Sequence, residues 1–130
     1  ATFSVPFVQL GLVPEAASSI LLPATVGNAV ARDMFATGRV LTAQEALQHG
    51  LVSRVFAADD LIDETAKLAA HIAECSPTAQ RLTKGLVRAG TDTVRDAMLR
   101  EGALFTQQLA SPDFAESVAA MMQKRKPVYK

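Results

Sequence analysis

Leu10-Gly11-Leu12-Val13-Pro14-Glu15-Ala16-Ala17-Ser18-Ser19 carries the only charged side chain in the first thirty-one residues, Glu15; the next charge is Arg32. Proline directly before the acid reads as a helix opening, because its fixed φ suits the first helical position and its missing N–H costs nothing there. The pattern predicts a helix from Pro14 to about Leu22, closed by Pro23. A carboxylate in such apolar company loses hydration, which disfavours its charged form and raises its pKa toward the range useful for proton transfer. Two readings of Glu15 stand at this point. It is either an anion at the positive end of a helix dipole or an acid–base group.

Working outward, residues 1 to about 10 read as an extended segment broken by Pro6. Asn28 can cap a second helix that Gly38 stops. Thr42-Ala43-Gln44-Glu45 has the form of a capping box and opens a helix that Gly50 ends. Leu51 to Phe56 alternates like a strand. The remainder reads as helices. One runs from a cap at Asp59 or Asp60 to about Glu74, with Leu61, Ile62, Ala66, Leu68, Ala69 and Ile72 as its apolar stripe. The next spans Ser76-Pro77 to Gly90. A third runs from about Thr93 to Leu109, and the last opens at Ser111-Pro112-Asp113 and finishes in Lys124-Arg125-Lys126. Basic residues there suit the negative end of a helix dipole. The change in character places a soft boundary near residue 57.

Composition narrows the function. With 130 residues, 49% of them apolar, the chain fits one domain with a core. Formal charge is zero, so no bulk field draws it to nucleic acid or to an anionic membrane. Pro6, Gly11, Pro14 and Pro23 interrupt the apolar opening well short of the roughly 18 to 20 residues a membrane span needs. The single cysteine, Cys75, permits no internal disulfide and suits a reducing compartment. His49 and His71 have no metal-ligand partner at suitable spacing. Ser18 and Ser19 lack the glycines of a nucleophile elbow. The opening Ala1-Thr2-Phe3-Ser4-Val5 looks like a strand already under way, and we expect a partner region upstream.

Taken in order, several segments resemble the crotonase superfamily of enoyl-CoA hydratases and isomerases. They are Ala1-Thr2-Phe3 with Pro6-Phe7, Leu10-Gly11-Leu12-Val13-Pro14-Glu15, Leu22-Pro23 with Gly27, Gly38-Arg39-Val40-Leu41-Thr42-Ala43-Gln44-Glu45-Ala46 and Gly50-Leu51-Val52. Ser76-Pro77, Lys84, Glu101 and Lys124-Arg125-Lys126-Pro127 continue the match. The resemblance covers essentially the whole chain and maps to the C-terminal half of that family. It implies an α/β fold: residues 1–56 as the end of a crotonase-type β-β-α spiral, and 57–130 as a mostly helical trimerisation region, giving a homotrimer or hexamer. It also implies an acyl-CoA thioester as substrate, with no cofactor, no metal, and no nucleic-acid or membrane partner. A bacterial cytoplasm is the expected location, or a mitochondrion or peroxisome in a eukaryote.

Two positions bear on the reaction that the resemblance implies. Family hydratases carry a glutamate after the proline matching Pro6. Here that residue is Phe7, which cannot activate water and argues against ordinary hydration by two glutamates. Isomerases that move a double bond from the 3 to the 2 position use an acid at the place matching Glu15. The resemblance therefore favours that isomerase branch. Glu15 would remove a C2 proton and return it at C4, while an oxyanion hole of two backbone N–H groups holds the enolate. Lys124 matches a position near the CoA phosphates and Phe105 one bordering the adenine; on spacing alone, the first is a dipole-compatible cation and the second a core residue. Enoyl-CoA hydratase-like or other enolate chemistry on acyl-CoA, or a non-catalytic helical oligomerisation module, are the alternatives. Since the oxyanion hole is expected upstream, we expect the 130-residue chain alone to be inactive.

Overall fold

The computed structural model describes residues 1–87 and 91–129. Two short strands, β1 (Thr2–Phe3) and β2 (Leu41–Thr42), pair antiparallel with Thr2 opposite Thr42 and Phe3 opposite Leu41. A 3-10 turn (Val8–Leu10) follows β1. The helices are α1 (Ser18–Val26), α2 (Asn28–Thr37), α3 (Ala43–Gln48), α4 (Leu61–Ala73), α5 (Pro77–Val87), α6 (Thr91–Leu109) and α7 (Pro112–Met122). The expected stop at Gly90 lies outside the described residues, as does Lys130.

Contacts divide the chain into two compact units, residues 1–53 with 92–130, and residues 54–91. Helices beyond the sequence boundary near 57 thus fall into both units, and the last two pack with the N-terminal part. In the first unit, α1 packs on α2, the 3-10 turn touches α2 and α7, and α3 packs on both strands. Its fully buried residues are mostly small: Ala17, Ala31, Leu41 and Ala46 are each 0% exposed, with Met34 at 1%. Small side chains let the backbones approach closely, which leaves less apolar area to bury per residue.

Local chemistry explains where the elements begin and end. The capping box at α3 is complete: Thr42 Oγ1 accepts from the Glu45 N–H, and Glu45 Oε2 accepts from the Thr42 N–H. At α7 the Ser111 hydroxyl oxygen accepts from the Phe114 N–H, with Pro112 in the first turn. The second unit is stapled similarly, by Ser76 Oγ accepting from the Ala79 N–H at the start of α5.

Several expectations are corrected. The first helix starts at Ser18, not Pro14, and continues through Pro23 to Val26. Pro23 forgoes a single backbone donor in a helix of only nine residues, and Gly27 ends it by donating its N–H to the Pro23 carbonyl. Gly27, not Asn28, occupies the cap of α2. Residues 51–56 form no strand; the Leu51 and Val52 amides instead donate to the Ala46 carbonyl at the end of α3, which removes them from any ladder. The last helix stops at Met122, so Lys124, Arg125 and Lys126 lie beyond its end.

Two glycines give a quantitative check. At Gly11, with φ +67°, an added Cβ would sit 2.8 Å from the Asp113 carbonyl carbon and 2.9 Å from the Phe114 nitrogen. At Gly27, with φ +82°, it would meet nothing within 4 Å. Gly27→Ala meets no neighbour but places a side chain at φ 82°, ψ 155°, a region essentially reserved for glycine, and should cost about 1–3 kcal/mol. Gly11→Ala should add overpacking against the start of α7, for a total of about 2–4 kcal/mol. Urea unfolding measures both, and a Gly11→Ala loss no larger than the left-handed backbone penalty of about 1–2 kcal/mol would refute the close approach at Gly11.

Candidate functional site

Pro14 to Ser19 forms a tight turn ahead of α1. Ala16 and Ala17 follow Glu15 with φ values of 56° and 59°, the left-handed region that L-residues avoid at a cost of about 1–2 kcal/mol each. The Ser18 N–H closes the turn on the Glu15 carbonyl at 3.0 Å. Glu15 itself is exposed, whereas Ala17 is wholly buried. The expectation of an acid in the first turn of a helix enclosed by apolar neighbours is therefore corrected. It stands on a turn before the helix and faces out from the described residues.

What holds the turn is Glu101, from the middle of α6 and 6% exposed. Its Oε2 accepts from the Ala17 N–H at 2.5 Å, and its Oε1 accepts from the Ser19 N–H at 2.9 Å and from the Ser19 hydroxyl. These are donors that an α-helix leaves unsatisfied at its start, and the carboxylate also complements the positive end of the α1 dipole. Glu101 borders a cleft of about 250 Å³ shared with Val13, Pro14, Ser19, Ala97 and Leu104. Sequence reasoning missed this role, although a signal existed. Val94, Ala97, Met98, Glu101, Leu104 and Phe105 fall on one helical stripe, and an acid on an apolar stripe implies a buried partner.

The other expected site residues lie elsewhere on the first unit. Phe105 is half-buried on α6, one turn after Glu101. Lys124 is exposed, with φ 52°, just past the end of α7. Behind it the chain turns back: Arg125 makes a two-pronged ion pair with Glu116, whose Oε1 also accepts from the Val128 N–H at 2.8 Å. Tyr129 and Ser117 share a hydrogen bond of 2.9 Å between hydroxyls. Phe7 is half-buried, and its carbonyl accepts from the Leu10 and Leu12 amides, shaping the loop that leads to Pro14. Among the described residues no three His, Cys, Asp or Glu side chains gather as a metal site, and no helix is long and apolar enough to cross a membrane.

The family model described as enoyl-CoA hydratase/isomerase matches residues 1–130. The chain belongs to that family. A solved enoyl-CoA hydratase/isomerase from Pseudoalteromonas atlantica T6c superposes with a TM-score of 0.96 at 48% identity, covering 100% of this chain and 53% of that one. A probable enoyl-CoA hydratase of Mycobacterium leprae is 38% identical over 130 residues, 99% of this chain and 51% of that protein. A carnitinyl-CoA dehydratase of Proteus mirabilis is 35% identical over 135 residues, covering 100% and 52%. The chain thus spans about half the length of the curated relatives it matches, within a crotonase-type α/β fold. Both of these sequence relatives are named for hydration or dehydration, not for the double-bond shift expected from Glu15 and Phe7.

The tail clip of this family member carries an acid-dependent prediction. Hydrogen bonding from Arg125, and then from the Val128 amide, lowers the Glu116 pKa from 4.5 to about 2. The folded chain therefore keeps this carboxylate ionised where the unfolded chain protonates it. Its stabilising contribution is in place above about pH 4.5 and is lost as pH falls toward 2. Glu116→Gln should be less stable than the parent near neutral pH but lose less stability across that acid window. Melting temperatures at stepped pH measure this, and a parallel decline in both proteins would contradict it. Glu45, lowered to about 2 by the Thr42 amide, Arg39 and the Thr42 hydroxyl, keeps some acid sensitivity in the variant.

Proposed function

We propose that the full-length protein carrying this chain acts on an unsaturated acyl-CoA thioester, with the Glu15 carboxyl moving a proton at the carbon next to the thioester carbonyl. The observation that carries this reading is an outward-facing acid on a turn whose backbone is held in an otherwise unfavourable conformation. Strain of this kind concentrates at functional sites. The enolate would be held by an oxyanion hole that the family resemblance implies and that we expect in the half of the protein outside these residues.

The names of the relatives favour addition or loss of water. In that reading Glu15 takes a proton from water as the water oxygen bonds to C3, and then delivers that proton to C2 of the enolate. A second reading, the shift of a double bond from C3 to C2, is favoured by Phe7, which occupies the position where hydratases of the family carry a second glutamate. There the same carboxyl would remove a C2 proton and return it at C4. Phe105 and Lys124 are proposed to border the CoA adenine and phosphates. The helical region is proposed to assemble trimers or pairs of trimers, and uncovered side chains such as Ile62, at 74% exposure, and Met122, at 78%, support that.

Three measurements test these proposals on the full-length protein. Glu15→Gln should lower kcat by about 100- to 10,000-fold, the usual worth of a positioned acid–base group. Chromatography of the products from 2-enoyl-CoA and 3-enoyl-CoA separates the two reactions, and an undiminished Glu15→Gln variant would overturn both readings. Sedimentation analysis should show three or six copies; a monomer would refute the assembly.

A further inference from the structure

We propose that Glu101 is a positioning residue for Glu15, fixing the turn on which that carboxyl stands rather than touching the substrate. The inference rests on the reading of Glu15 as the proton-transfer group. Glu101 is an unusual helix anchor, because it reaches the start of α1 from residues 82 and 84 positions away in sequence. Within the turn, the backbone holds itself by one bond, from the Ser18 N–H to the Glu15 carbonyl. The Ala17 and Ser19 amides on either side of that bond are both claimed by the Glu101 carboxylate.

The geometry separates positioning from simple stabilisation. Ala16 and Ala17 are consecutive L-residues in the left-handed region, so an untethered turn would relax toward ordinary helical angles. Extending α1 backward in that way would rotate the Glu15 side chain about the helix axis and carry it away from its present direction. Pro14 limits movement on one side, through its fixed φ, and Glu101 limits it on the other. A direct chemical role for Glu101 is disfavoured by its own bonding. Both oxygens are engaged by three donors, and the residue is almost wholly buried. Glu101→Gln changes little in volume but replaces one acceptor oxygen with an NH2 group that opposes an amide donor. Ser19→Ala removes one of the two donors on the Glu101 Oε1 and so loosens the grip of the carboxylate on the turn.

The test measures kcat and KM for the full-length enzyme with its acyl-CoA substrate, well below the melting temperature, alongside Glu15→Gln. Displacement of a reacting group by about 1 Å can cost on the order of 100-fold in rate, so Glu101→Gln should lower kcat about 10- to 100-fold with KM within about twofold. Ser19→Ala should lower kcat about threefold, again with KM unchanged. A purely structural role would reduce the amount of folded enzyme and leave kcat per folded site intact. If Glu101→Gln fails to fold, the Ser19→Ala result decides: an unchanged kcat overturns the proposal. If Glu15→Gln is inactive while both other variants keep kcat within twofold of the parent, Glu101 is not a positioning residue and the role of Glu15 stands. Full turnover by Glu15→Gln removes both inferences together.

Discussion

The hydrogen bonds from the Ala17 and Ser19 amides to the Glu101 carboxylate join the two ends of one compact unit. They do three things at once. They satisfy donors that an α-helix cannot satisfy for itself. They place a negative charge at the positive end of α1. They also compensate a backbone in which two successive alanines adopt left-handed angles. Closing so long a loop carries an entropic cost that grows only with the logarithm of its length, and charge-assisted bonds to a buried carboxylate are strong enough to contribute against it. The same arrangement makes the unit vulnerable: a buried carboxylate deprived of its donors is costly.

The core around this anchor has a consistent character. Ala17, Ala31, Ala46, Ala97 and Ala120 are all buried, so much of the packing is backbone against backbone. Gly11 extends the theme, since a Cβ there would lie 2.8–2.9 Å from the Asp113–Phe114 peptide, so a larger residue must displace it. Close approach positions loops accurately but buries modest apolar area. Larger side chains, among them Ile62, Leu99, Met121 and Met122, remain in contact with solvent.

Features with short sequence range were legible. The Thr42–Glu45 box, the Ser111-Pro112 and Ser76-Pro77 starts and the stop at Gly38 need only neighbours within one turn, and each stands where the pattern put it. Long-range effects defeated the same rules. Pro14 looks like a first helical residue by propensity, yet the bonds to Glu101 delay the helix to Ser18. Alternation at 51–56 suggests a strand, but the amides of Leu51 and Val52 are taken by α3. The candidate acid was visible because it is alone in an apolar stretch, whereas Glu101 was hidden among the ordinary charges of a long helix. Its meaning emerges only when the stripe it shares with Ala97 and Leu104 is seen to face the turn.

How Glu15 and Phe7 fit together turns on proton bookkeeping. Net addition of water moves one proton from water to C2, and a double-bond shift moves one proton from C2 to C4. Either exchange needs a single shuttle, so the presence of Glu15 does not choose between them. What hydration needs in addition is a group that holds water against C3, and a phenyl side chain at Phe7 offers neither a donor nor an acceptor for it. Hydration by this protein would therefore need a water-binding group elsewhere, whereas a double-bond shift gains from an apolar wall that keeps water from the enolate. The turn held by Glu101 serves both cases alike. On the proposed reading of Glu15, the choice of reaction would therefore depend less on the proton shuttle than on the groups around Phe7.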